Sequence, residues 1–122
     1  MVRGQIVYVD FGEMNGGYIH GGYRPAVIVQ SNLGNKHSAA TVVVPLTTKE
    51  KKDLPMHVFI RARDLLMADS TALCEEVQAV NKSDVGETVG FCNEQEMLMI
   101  ENALCATLGI KRGGVISCRL FA

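Results

Sequence analysis

Short β-branched runs that follow one another closely constrain this chain more than any other feature. Ala26-Val27-Ile28-Val29-Gln30 and Ala40-Thr41-Val42-Val43-Val44-Pro45-Leu46-Thr47 are apolar over most of their length. A strand with one wet face alternates apolar and polar residues, whereas a strand covered on both faces does not. The first of these runs therefore reads as a buried strand, and the second as another strand. Gln5-Ile6-Val7-Tyr8-Val9-Asp10-Phe11 is a strand ahead of them, rich in β-branched and aromatic residues. His57-Val58-Phe59-Ile60 begins a fourth, residues 71–80 give a fifth of mixed character, and a brief one lies near Thr88-Val89-Gly90-Phe91. Pro45 has no N–H to give to a ladder, so the third strand is expected to be bulged or edge-like near its end.

The connections are short and carry turn chemistry. Gly12 to Tyr23 holds five glycines in twelve residues, a loop that Arg24-Pro25 closes. Residues 31–38 read as a turn, residues 48–55 as a polar connection, and residues 81–84 as a turn or short helix. One helix is clear. Asn93 caps it with Glu96 three residues on, Met97, Ile100, Leu104 and Leu108 repeat at helical spacing, and Gly109 ends it. Residues 110–122 read as a tail or as one further short strand. Strands first and one helix last give a mainly β fold, a small barrel with a C-terminal helix over one opening or face.

With 122 residues, 48% of them hydrophobic and 20% charged, the chain is expected to form one globular domain over residues 1–122. The net charge of −1 excludes a global positive field, so any contact with phosphate must be local. None of the four cysteines forms a C-x-x-C pair, so no zinc site is expected and the thiols read as small core residues. No apolar signal region opens the sequence and no run is long enough to span a membrane, which places the chain in the cytoplasm.

Several stretches together resemble the MazF/PemK toxins. They are Arg3 to Asp10, then Gly21-Gly22-Tyr23-Arg24-Pro25-Ala26-Val27-Ile28-Val29-Gln30, Ser31 to Asn35, Val42 to Thr47, Leu54 to Val58, Asp69-Ser70, Glu75 to Gln78, and the helix ending Leu104 to Gly109. Their order and spacing follow the family over roughly residues 3 to 110. The resemblance implies a twisted SH3-like barrel with short additional helices and a homodimer. It also implies cleavage of single-stranded RNA at short motifs without a metal or other cofactor, and a cognate antitoxin that holds the toxin inactive.

Metal-free RNA cleavage sends the ribose 2′-OH against the neighbouring phosphate, and the transition state gathers negative charge on the phosphoryl oxygens. Preorganised donors aimed at that charge are usually the largest catalytic contribution. Arg24 offers a permanently charged fork of donors matched to phosphate, and it matches the family's catalytic arginine. A surface arginine paired with Glu13 or Glu76 is the alternative. Thr47 offers one hydroxyl donor at a strand end, or else caps its own turn; Thr48 is next in register. His20 and Glu75 are the proton-transfer candidates. Single strands are read by stacking and by hydrogen bonds to base edges. That points to Asn15, Tyr18 and Tyr23 in the glycine-rich loop, with Glu76 and Gln78 further on. Lys49, Lys51 and Lys52 form a local positive patch that would meet phosphates. Family members differ at this loop, and Leu73 stands where some carry an arginine. Two other readings follow from the same fold: a CcdB-like gyrase poison acting through the terminal helix around Met97 and Met99, and an inactive relative that binds RNA or antitoxin without cutting.

Overall fold

A computed structural model describes residues 1–13 and 21–111. Asn15, Tyr18, His20 and the tail beyond Lys111 lie outside the described residues. Among the described residues seven strands and two α-helices follow one another as β1 (Gln5–Asp10), β2 (Tyr23–Ile28), α1 (Asn32–His37), β3 (Ala40–Thr47), β4 (His57–Ile60), β5 (Ser70–Leu73), β6 (Gln78–Asn81), β7 (Val85–Phe91) and α2 (Glu94–Leu108).

The strands make one antiparallel sheet in the order β4-β5-β3-β2-β1-β7, with β6 also paired to β3. The path has two ends and does not close, so the barrel expected from the sequence is an open, curled sheet. Its centre, β1-β2-β3, is apolar on both faces, which explains the unbroken runs. Ile6, Val27, Val44 and Leu46 face a core completed by Val58, Ile60, Ala72 and, from α2, Met97, Ile100 and Ala103. Val7, Val9, Ala26, Ile28 and Val43 face a second cluster, edged by Phe11, Val80 and Val85. Alternate residues of one strand thus serve two cores.

Pro45 sits inside the third strand, not at its edge. The first half of β3 pairs β6 (Val43↔Gln78) and its end pairs β5 (Leu46↔Ala72). Pro45, without an N–H, falls where the partner changes. On the other side of that change a 3-10 turn, Cys74–Glu76, splits what reads in sequence as one strand over residues 71–80. Residues 31–38 prove to hold a helix, α1, capped by Ser31, whose side chain accepts from the Gly34 N–H.

In α2 the capping box forms as expected: Asn93 accepts from the Glu96 N–H at 2.8 Å, and Glu96 accepts from the Asn93 N–H at 2.9 Å. Gly109 closes the helix in the left-handed region at φ 68°. The buried stripe is Met97, Ile100, Ala103 and Cys105, while Leu108 is 59% exposed and stands outside it. Met99 is half-buried and packs against the same core as Met97. No helix among the described residues is long and apolar enough to cross a membrane.

Candidate active site

β2 and β3 run antiparallel with Ala26 opposite Pro45. The paired stretch ends there; continued two residues beyond it, the same register would set Arg24 opposite Thr47, and directly opposed residues share a face of the sheet. Both line one groove of about 350 Å³ at the strand ends, with Tyr8, Gly21, Gly22, Tyr23, Pro25, Leu46 and Thr48. That volume lies in the ordinary range for small-ligand sites.

The local chain geometry holds each group. The Arg24 Nε–H donates to the Gly21 carbonyl at 2.6 Å, which fixes the guanidinium relative to the turn that precedes the strand. Gly22 in that turn has φ 88°, a conformation that favours glycine, so the second glycine of the motif has a backbone reason. Thr47 is 4% exposed, and its hydroxyl oxygen accepts from the Lys49 N–H at 3.2 Å. Turn capping and a catalytic role are compatible here: the cap uses an acceptor lone pair of the hydroxyl and leaves its proton to donate.

The remaining candidates lie elsewhere. Thr48 is exposed and lines the groove. Lys49, Lys51 and Lys52 are exposed on the connection beyond it. Glu75 does not line this groove. Its carboxylate accepts from His57 Nε2 at 2.8 Å, while His57 Nδ1 meets the Lys52 carbonyl at 2.9 Å. Both ring nitrogens face acceptors, so both bonds form at once only in the doubly protonated ring. His57 thus clips the lysine-bearing connection to the 3-10 turn. In sequence His57 stands at the start of a strand and within the Leu54 to Val58 stretch but carries no assigned role, because its partner is brought near by the β4–β5 register, His57↔Leu73. Gln78 lies in a different hollow, with Asp10, Asn81 and Asp84; its amide donates to the Glu76 carbonyl at 3.1 Å. Glu76 is half-buried beside it.

Burial pushes the Cys74 and Cys92 thiols up to about 12, so neither is a thiolate near neutrality. Among the described residues no group of three or more His, Cys, Asp or Glu side chains is placed to hold a metal.

Residues 2–108 match the model of the PemK-like, MazF-like toxins of type II toxin–antitoxin systems. The chain belongs to that family. It is 34% identical over 110 residues, 88% of this chain and 91% of the relative, to an Endoribonuclease MazF of Staphylococcus epidermidis. Among solved structures it resembles an endoribonuclease in complex with its cognate antitoxin from a mycobacterial species. That likeness has a TM-score of 0.73 and 28% identity, covering 92% of this chain and 98% of that one. MazF from Deinococcus radiodurans superposes with a TM-score of 0.77 at 21% identity over 89% of this chain and 96% of that one, a likeness of fold.

Proposed function

We propose that this chain is the endoribonuclease of a type II toxin–antitoxin system, a single toxin domain that cuts single-stranded RNA at a short motif in the cytoplasm. The observation that carries the reading is the convergence of Arg24 and Thr47 on one groove, in a chain of this family. Arg24 would grip the scissile phosphate and Thr47 would donate to a phosphoryl oxygen. Together they oppose the charge that builds as the 2′-OH attacks. The products are then a 2′,3′-cyclic phosphate and a 5′-hydroxyl. A fixed guanidinium and a hydroxyl meet the electrostatic demand of that step, so no bound metal is required. His20 and the loop residues Asn15 and Tyr18 complete the proposal as the proton-transfer and base-reading groups. A homodimer and inhibition by a cognate antitoxin come with the family reading; binding of an antitoxin is supported by the mycobacterial neighbour solved in complex with its own.

The test is incubation of the purified protein with unstructured RNA in excess EDTA, followed by mapping of the ends. Cyclic-phosphate and 5′-hydroxyl termini are expected, and Arg24→Ala should lose them while its circular dichroism and melting remain those of a folded protein. Intact RNA with the wild type would remove the enzyme, and cleavage abolished by EDTA would remove the mechanism.

A further inference from the structure

We infer that the Tyr23 ring is a preassembled stacking platform for one nucleobase beside the phosphate held by Arg24 and Thr47, with Tyr8 and Gly86 as the residues that hold the ring in place. The inference rests on the reading of this groove as the RNA site.

Tyr8 lies opposite Pro25 and Asp10 opposite Tyr23. The two tyrosines are therefore diagonal neighbours on one face, a spacing that aromatic side chains bridge. Their rings stack, with centroids 4.9 Å apart and planes 10° from parallel. Tyr8 is itself half-buried against the main core, so the lower ring of the stack is anchored. The far end of Tyr23 is seated as well. It reaches across β1 to β7, where a Cβ on Gly86 would lie 2.4 Å from the Tyr23 hydroxyl oxygen but 3.4 Å from Cζ. The absence of a side chain at that position is what lets the phenol lie down on the strand.

A ring so fixed is normally buried, yet Tyr23 is 61% exposed. One face is covered by Tyr8, and the exposed ring lines the groove. Stacking on such a surface costs little ordering of the protein, because the ring is already held. The neighbour in sequence supplies the rest. Tyr23 and Arg24 are consecutive in β2, so strand alternation sends them to opposite faces, while the groove at the strand ends is lined by both. A nucleotide likewise carries its phosphate and its base on opposite sides of the ribose. A strand crossing the sheet end could place a phosphate on Arg24 and an adjacent base on Tyr23.

The experiment uses RNA bearing the mapped cleavage motif with 2′-deoxyribose at the scissile nucleotide, so that binding is measured without cutting. Tyr23→Ala should weaken binding about 5- to 150-fold, the range for loss of one base–aromatic stack. Tyr23→Phe keeps the ring and should restore most of that loss. Gly86→Ala should weaken binding several-fold by unseating the phenol, and adding Tyr23→Phe, which removes the clashing oxygen, should recover it. An abasic nucleotide at one position beside the cleaved bond should erase the difference between wild type and Tyr23→Ala. If Tyr23→Ala binds like wild type, or if the difference survives at every abasic position, the platform falls while Arg24 can still be required for cutting. A wild type that neither cuts nor binds RNA overturns the groove reading and the platform with it.

Discussion

At the scale of single residues, the two groups proposed to bear the chemistry are each held by a backbone bond: Arg24 to the Gly21 carbonyl, Thr47 by the Lys49 N–H. Thr47 gives the sharper test because its volume can be kept. Thr47→Val removes the donor from a site that is 4% exposed, and single-turnover cleavage should fall on the order of a hundred- to a thousand-fold, with little change in RNA affinity. Thr47→Ser returns the hydroxyl and should recover most of the rate. Cleavage by Thr47→Val at the wild-type rate, in a variant whose melting is unchanged, would exclude the hydroxyl from the transition state. That these two residues line one groove was foreshadowed in sequence because a motif sets each at an end of neighbouring strands. His57 and Glu75 were not legible as a pair: they stand 18 residues apart and meet only through the β4–β5 register. Tyr8 was equally hidden, since nothing local in Ile6-Val7-Tyr8-Val9 distinguishes a stacking partner from a core residue.

At the scale of elements, the sequence was most informative where one rule acts alone. The cap and terminating glycine of α2 are local and were readable, as were the four strands over β1 to β4, whereas the buried stripe follows Met97 and Ile100 as expected and then turns to Ala103 and Cys105 instead of Leu108. The split between β5 and β6 was not. It arises because a single edge of β3 serves two partners in different registers, which is a property of the sheet and not of residues 71–80. The N-terminus of α2 is also tied to the sheet. Arg63 donates through both Nη groups to the Glu96 carboxylate, at 2.5 Å each, and through Nη1 to the Phe91 carbonyl at 3.1 Å. Burial alone would raise the Glu96 carboxyl. The hydrogen bonds from Arg63 and from the Asn93 N–H outweigh it and hold Glu96 below the ordinary carboxylate range. A carboxylate depressed in the folded state adds stability that is complete above its unfolded value of about 4.3 and is lost as pH falls through the folded value. Glu96→Gln should therefore melt lower than wild type at pH 7, and the gap should narrow steadily below about pH 4.3. A loss of about 1–3 kcal/mol at pH 7 is expected for a charged hydrogen-bonded partner, against about 1 kcal/mol for Asn93→Ala. A gap between wild type and Glu96→Gln that stays constant from pH 7 to pH 3 would mean that the pair does not stabilise the fold through its charge.

At the scale of the whole molecule, an open sheet with a core on each face of its centre carries a groove whose electrostatics are local. The net charge is −1, so the protein as a whole does not draw a polyanion toward itself. Four cations are near enough in sequence to Thr47 or the groove to meet phosphates: Arg24 within it, and Lys49, Lys51 and Lys52 on the exposed connection that His57 clips down through the Lys52 carbonyl. For a single strand, the logarithm of affinity falls with the logarithm of salt at a slope of about −0.7 per phosphate neutralised. Arg24 alone gives a slope near −0.7, and all four cations together give about −2.8. Titration of uncleavable RNA from low to high salt should fall between those bounds for each bound protomer. Replacement of Lys49, Lys51 and Lys52 by glutamine should bring the slope back toward the Arg24 value. Because those lysines do not line the groove, the triple variant should lose affinity far more than it loses the single-turnover rate at saturating RNA. A slope steeper than about −4 would require a phosphate track elsewhere on the molecule, and a slope indifferent to the three lysines would leave them as an ordinary solvated face.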